Sequence, residues 1–164
     1  MSTNESSWAV PTKGRFTTAV QKAAAAVGIV FLLVGIMGFI PGITTNYDTM
    51  TFASHHSEAM LLGIFNVSIL HNIVHLLFGV AGLAMARTWN SARLYLIGGG
   101  VIYLVLFLYG LVIDHHSGAN FVPVNMADNW LHLALGVGMI ALGLALSRRD
   151  TAHTAGRTAP PSAR

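Results

Sequence analysis

The chain has 164 residues, 54% of them hydrophobic and only 9% charged, with a formal net charge of +3 and no cysteine. Soluble domains carry about 25% charged residues, so this composition excludes an ordinary soluble domain, a disordered protein and a disulfide scaffold. Nine basic residues without a long basic stripe also exclude a nucleic-acid binder of the usual kind.

Residues 1–18 are rich in Ser, Thr and Asn, carry Trp8 and Phe16 as interfacial anchors, and are expected to be a mobile N-terminal segment. Four stretches then lack Asp, Glu, Lys and Arg: 23–40, 59–86, 94–113 and 129–147. A helix needs about 20 apolar residues to cross a hydrocarbon core, so the composition predicts spans at about 22–40, 59–86, 94–113 and 127–147 within a domain covering 19–149. Alternating strands of a transmembrane barrel do not fit, because 23–40 is apolar throughout. The first run ends in Phe39-Ile40-Pro41-Gly42 without a small-x-small cleavage site, which predicts a retained helix rather than a signal peptide. Residues 150–164 form an Ala, Thr, Pro and Arg tail expected to be disordered and basic.

The basic residues set the orientation. Lys13, Arg15 and Lys22 precede the first span, Arg87 and Arg93 flank the link between the second and third, and Arg148, Arg149, Arg157 and Arg164 follow the fourth. The other two loops contain Asp48, Glu58, Asp114 and Asp128 and no Lys or Arg. The positive-inside rule therefore predicts an all-α, antiparallel four-helix transmembrane bundle in the cell membrane, with both termini cytoplasmic. Its partner is the lipid bilayer, and oligomers are compatible with it.

Small residues on every span, including Gly28, Gly35, Gly38, Gly79, Gly82, Gly136 and Gly143, predict close helix packing. The polar residues are more specific. At 100° per residue Ser68, His71, Asn72, His75, Gly79 and Gly82 share one face of the second helix, as Asp128, His132, Gly136, Met139 and Gly143 do on the fourth. Both faces should turn inward, because an imidazole facing lipid leaves its N–H unpaired. The segments starting at Asn72 and Asn129 match as N-x-x-H-L-x-x-G-V, 57 residues apart, which suggests a repeated hairpin; no echo is evident between helices 1 and 3. Counted from Arg87 and Arg148, His71 and His132 lie at one level, about 24 Å from the inner boundary, with His75 one turn deeper.

The segment from Leu62 to Gly79, with Asn129-Trp130-Leu131-His132-Leu133 opening helix 4, resembles the small four-helix membrane proteins, chiefly actinobacterial, grouped as a domain of unknown function. The resemblance covers about 19–149 and implies an integral membrane protein without an assigned activity.

Four readings of His71, His75 and His132 stay open. They tie helices together through Ser68, Asn72, Asn129 or a backbone carbonyl. They supply axial ligands to haem b, with Tyr95, Tyr103 or Tyr109 lining it. They bind Zn, Cu or Fe through the i, i+4 pair and His132, with Asp128 and Asn129 supporting. Or they belong to a proton or solute pathway, against which the apolar stretch below His75 argues. Outer-loop His55, His56, His115 and His116 form a weaker metal-capturing or pH-sensing rim. No catalytic residue is assigned: the chain lacks cysteine, G-x-S-x-G and a phosphate-binding loop, and Asn72 stands where H-E-x-x-H needs its acid, so a structural or binding role is expected.

Overall fold

The structure, a computed structural model, describes residues 16–158. The predicted N-terminal anchor Trp8 and most of the segment expected to be mobile lie outside the described residues. Four helices form: α1 (Ala19–Met37), α2 (Ile69–Met85), α3 (Trp89–Val112) and α4 (Met126–Thr158). Between α1 and α2 stand three two-residue strands, β1 (Thr44–Thr45), β2 (Met60–Leu61) and β3 (Phe65–Asn66), paired antiparallel in that order.

Three helices, Ala19–Met37, Trp89–Val112 and Met126–Thr151, are long and apolar enough to cross a membrane, and α2 is a shorter apolar helix of 17 residues. Their outward faces carry Ile29, Leu33, Leu77, Val80, Leu94 and Leu108, all substantially exposed. An apolar exterior of this kind suits lipid and not water, and the protein is an all-α membrane bundle.

Packing follows the glycines. A Cβ on Gly28 would stand 2.9 Å from the Gly79 carbonyl oxygen, and one on Gly100 would stand 2.7 Å from that of Gly136. Gly38 and Gly110 leave room for the side-chain amides of Asn72 and Asn129. Contacts running up one helix and down its neighbour make α1/α2 and α3/α4 two antiparallel hairpins, and these are the most extensive helix pairings. The buried core between them includes Val20, Ala24, Phe31, Leu96, Tyr103 and Met139.

The predicted second span requires correction. Only 69–85 of the uncharged run 59–86 is helical, because the Ser68 side chain caps α2 by accepting from the His71 backbone N–H at 3.1 Å. Upstream, Leu62 and Gly63 adopt φ of 55° and 69° and turn β2 into β3. Absence of charge does not require a helix here: Ala59, Leu61 and Val67 are buried in a second small core against Val34, Met37 and Ile43. The free N–H groups of Ile69 and Leu70 are met by the carbonyls of Thr51 and Phe52.

The opposite end also differs from expectation. The segment from 150 to 158, expected to be disordered, continues α4, and its Asp150 carboxylate accepts from the backbone N–H groups of Ala19 (3.1 Å) and Val20 (3.2 Å). Helix α1 has no acid of its own in its first turn, so Asp150 supplies the negative charge that its N-terminus favours. Gln21 works in the same place. Its oxygen accepts from the Thr18 N–H in a capping box, while Nε2 donates to the Ala86 and Arg87 carbonyls at 3.0 and 2.9 Å and so closes the C-terminus of α2. Asp150→Ala is therefore expected to destabilise the detergent-solubilised protein by about 1 kcal/mol, and Gln21→Ala by roughly 1–2 kcal/mol, in thermal unfolding followed by circular dichroism.

Candidate functional site

The polar faces of α2 and α4 do turn inward. His71, His75 and His132 are all buried, as are Ser68, Asn72, Asp128 and Asn129. The three imidazoles line one cavity of about 90 Å³ at the sheet end of the bundle, together with Asp128 and apolar residues of α1, the sheet and α4. No residue of α3 lines it.

Each side chain is held by a local device. Asn125 precedes α4, and its side-chain oxygen accepts from the Asp128 N–H at 3.0 Å, while Asp128 Oδ2 accepts from the Asn125 N–H at 2.9 Å. This reciprocal cap fixes Asp128 at the start of the helix. The same Oδ2 accepts from the Asn66 N–H at 3.0 Å, and Asn125 Nδ2 donates to the Ile64 carbonyl at 2.8 Å. The β2–β3 hairpin is thus tied down over the cavity. On the α1 side, the Thr44 hydroxyl donates to the Met37 and Gly38 carbonyls at the end of α1.

Beneath the cavity the rings form a column. His71 stacks on His75 with centroids 4.6 Å apart, His75 on Phe31 at 5.7 Å, and Phe31 on Tyr103 at 5.4 Å, with interplanar angles of 25°, 16° and 17°. Tyr103 then meets His132 at 5.4 Å in a tilted arrangement. Such contacts contribute about 0.5–1.5 kcal/mol each beyond area burial.

The column bears on the chemistry open at these histidines. Imidazole lone pairs lie in the ring plane, so near-parallel stacked rings present faces rather than converging nitrogens. Among the described residues no group of three or more His, Cys, Asp or Glu has an arrangement that could hold a metal ion. Phe31 lies against the His75 ring and Tyr103 against that of His132, so each imidazole already has an aromatic neighbour. The cavity that His71 and His132 share is smaller than the 300 Å³ or so at the low end of cofactor pockets. Of the expected tyrosines, Tyr95 instead donates to the Phe78 carbonyl, and Tyr109 donates to that of Ala119.

Of the helix-tying partners expected of the histidines, the backbone carbonyl is found for His71, whose ring bonds the main chain at Asn66 and Pro123, and the side-chain partners are not. Ser68 receives the backbone of His71 rather than its ring, and the Asn72 and Asn129 amides sit against Gly38 and Gly110. Nδ1 of His71, of His75 and of His132 is buried without a hydrogen-bond partner among the described residues. The outer-loop histidines are not gathered with them: His115 Nε2 pairs with the Gly110 carbonyl at 2.8 Å, and His55 and His56 lie ring to ring at 4.0 Å in the β1–β2 connection.

Phe31 escaped sequence reasoning, and Tyr103 was expected only as one of three tyrosines lining a haem, although a signal for both existed. Helices 1 and 3 do echo each other at a constant spacing of 72: Gly28 with Gly100, Phe31 with Tyr103, Leu32 with Leu104, and Gly38 with Gly110. Combined with the spacing of 57 between α2 and α4, each hairpin repeats the other's contacts. Gly79 packs on Leu32 as Gly136 packs on Leu104, and Phe31 meets His75 as Tyr103 meets His132. His75 and His132 are therefore the equivalent pair, and the position matching His71 is Asp128. Level counting paired His71 with His132 because Arg148 lies within a helix that continues to Thr158, whereas Arg87 follows the end of α2.

The chain belongs to the family described as domain of unknown function DUF4383, whose model matches residues 21–145. That span contains the whole histidine site. No curated protein and no solved structure matches the chain.

Proposed function

We propose that this member of the family is a membrane-embedded binding protein that holds a small ligand in the cavity of His71, His75 and His132. The observation carrying this reading is the set of three buried Nδ1 atoms, around one cavity, without partners among the described residues. A buried polar group left unpaired costs about 1–3 kcal/mol, and three around a single space favour a site built to complete them with a ligand. Binding rather than catalysis fits the residues. Among the described residues no Ser, Thr, Cys or Lys lines the cavity, and Asp128 Oδ2 is engaged by two backbone N–H groups. With the acidic loops Asp48, Glu58 and Asp114 at the sheet end and Arg87, Arg93, Arg148 and Arg149 at the other, the cavity belongs to the extracytoplasmic half.

The test separates binding from helix tying. His132→Leu removes an unpaired nitrogen while keeping an apolar side chain, so the ligand-free protein is expected to melt at the same temperature or higher. Native mass spectrometry of the wild type purified under mild conditions should show a bound mass that His132→Leu lacks. A lower melting temperature in the variant, with no histidine-dependent mass in the wild type, would assign the imidazoles to helix pairing instead.

A further inference from the structure

Building on that binding role, we infer that the ligand is a neutral, hydroxyl-bearing lipid that enters from the side, between α1 and α4 and under the β2–β3 turn, with its hydroxyl head among His71, His132 and Asp128.

Size comes first. One water needs about 10–15 Å³ and a dry apolar cavity of about 150 Å³ takes up benzene, so about 90 Å³ admits a head of a few heavy atoms. A sugar or a macrocycle is too large.

Charge decides the head. Among the described residues no Lys or Arg lines the cavity, so a phosphate or sulfate would be buried without a counter-charge. A cationic head would find a single carboxylate whose Oδ2 already holds the Asn66 and Asn125 N–H groups. The unpartnered Nδ1 atoms donate or accept according to tautomer, and a hydroxyl, being both donor and acceptor, completes either form.

The entrance is apolar. Two lining residues also face outward: Leu62, 57% exposed, and Leu131, 37% exposed, while Val34 and Met37 of α1 are half-buried beside them. Leu62 holds a φ of 55°, a region where Gly or Asn ordinarily stands. A large apolar side chain kept in a strained turn at a cavity mouth points to a tail lying against it.

The probe is a long-chain alcohol with a diazirine in its tail, added to the full-length protein in phosphatidylcholine nanodiscs. After irradiation, mass spectrometry should find the label concentrated on the peptides containing Leu62 and Leu131. Untagged alcohol should compete, while the same chain ending in phosphate, in trimethylammonium or in a methyl group should not. His71→Leu or His132→Leu should weaken competition roughly tenfold, as expected for one lost hydrogen bond. Leu131→Trp, at an exposed position that leaves the core intact, should block labelling at both peptides. Equal competition by the phosphate ester overturns the choice of head, and unchanged labelling in Leu131→Trp overturns the side entrance. A histidine-dependent bound mass that the alcohol fails to displace overturns this lipid assignment and leaves the binding role standing; loss of both results removes the two together.

Discussion

Gly100→Leu is expected to prevent α3 and α4 from closing, whereas Gly138→Leu, on the facing helix of the same hairpin, should leave the protein folded. At Gly100 a Cβ would meet the Gly136 carbonyl oxygen at 2.7 Å and the Ile140 backbone nitrogen at 3.1 Å. Backbone atoms of a packed helix cannot swing aside as a side-chain end can, so even Gly100→Ala should cost about 1–3 kcal/mol. Among the described residues nothing lies within 4 Å of the carbon added at Gly138, and at Gly98 only a Leu94 methyl at 3.8 Å. Circular dichroism and size-exclusion chromatography in detergent would check the series. The equivalent crossing predicts the same contrast at Gly28, whose added Cβ would stand 3.0 Å from the Leu83 nitrogen. Equal tolerance at Gly100 and Gly138 would mean that glycine does not set the helix spacing.

That contrast marks how far the chain was legible before its structure. Hydropathy locates helices but does not tell a packing glycine from a lipid-facing one: Gly98, Gly99 and Gly100 are adjacent in sequence, yet Gly99 touches Phe78 and Met139 while Gly98 is nearly open. Periodicity did place His71, His75 and His132 on inward faces, because buried polar groups in a membrane leave no other direction. It did not reveal that two of these rings stack on each other, or that Phe31 and Tyr103 join them. Apolar aromatic positions look alike in sequence whether they meet lipid or an imidazole. Nor did the uncharged run 59–86 show its own break, since its apolar residues Ala59, Leu61 and Val67 are buried as those of a helix would be. The break was written in the polar residues: Ser68 is an N-cap, and Gly63 marks a turn. Likewise the match of Asn72 to Asn129 extends outward to the caps, with Ser68 and Asn125 at equivalent positions. The equivalence fails where His71 faces Asp128, and at that asymmetry the cavity lies.

Asp128 makes the second large prediction, because one carboxyl oxygen serves two chain segments. Asp128→Ala strips the acceptor from the Asn66 N–H in β3 and from the Asn125 N–H at the start of α4. Hydrogen bonds to a carboxylate contribute about 1.5–3 kcal/mol, and a buried donor left behind adds its own desolvation cost, so a loss of roughly 2–4 kcal/mol is expected. Asp128→Asn keeps an acceptor oxygen and should recover much of it. The loss should also be local before it is global. With the Asp128 tie gone and only the Asn125–Ile64 bond left, the β2–β3 hairpin loosens over the cavity, and amide hydrogen exchange should rise through 60–66 while the α1/α2 contact at Gly28 and Gly79 stays protected. Ser68→Ala is the control, since it removes only the cap of α2, worth about 1 kcal/mol, and leaves the hairpin tied. Unchanged exchange in the hairpin of Asp128→Ala would show that the cover is held by its apolar core of Leu61 and Val67 and the Asn125–Ile64 bond, and that the carboxyl is placed there to face the cavity.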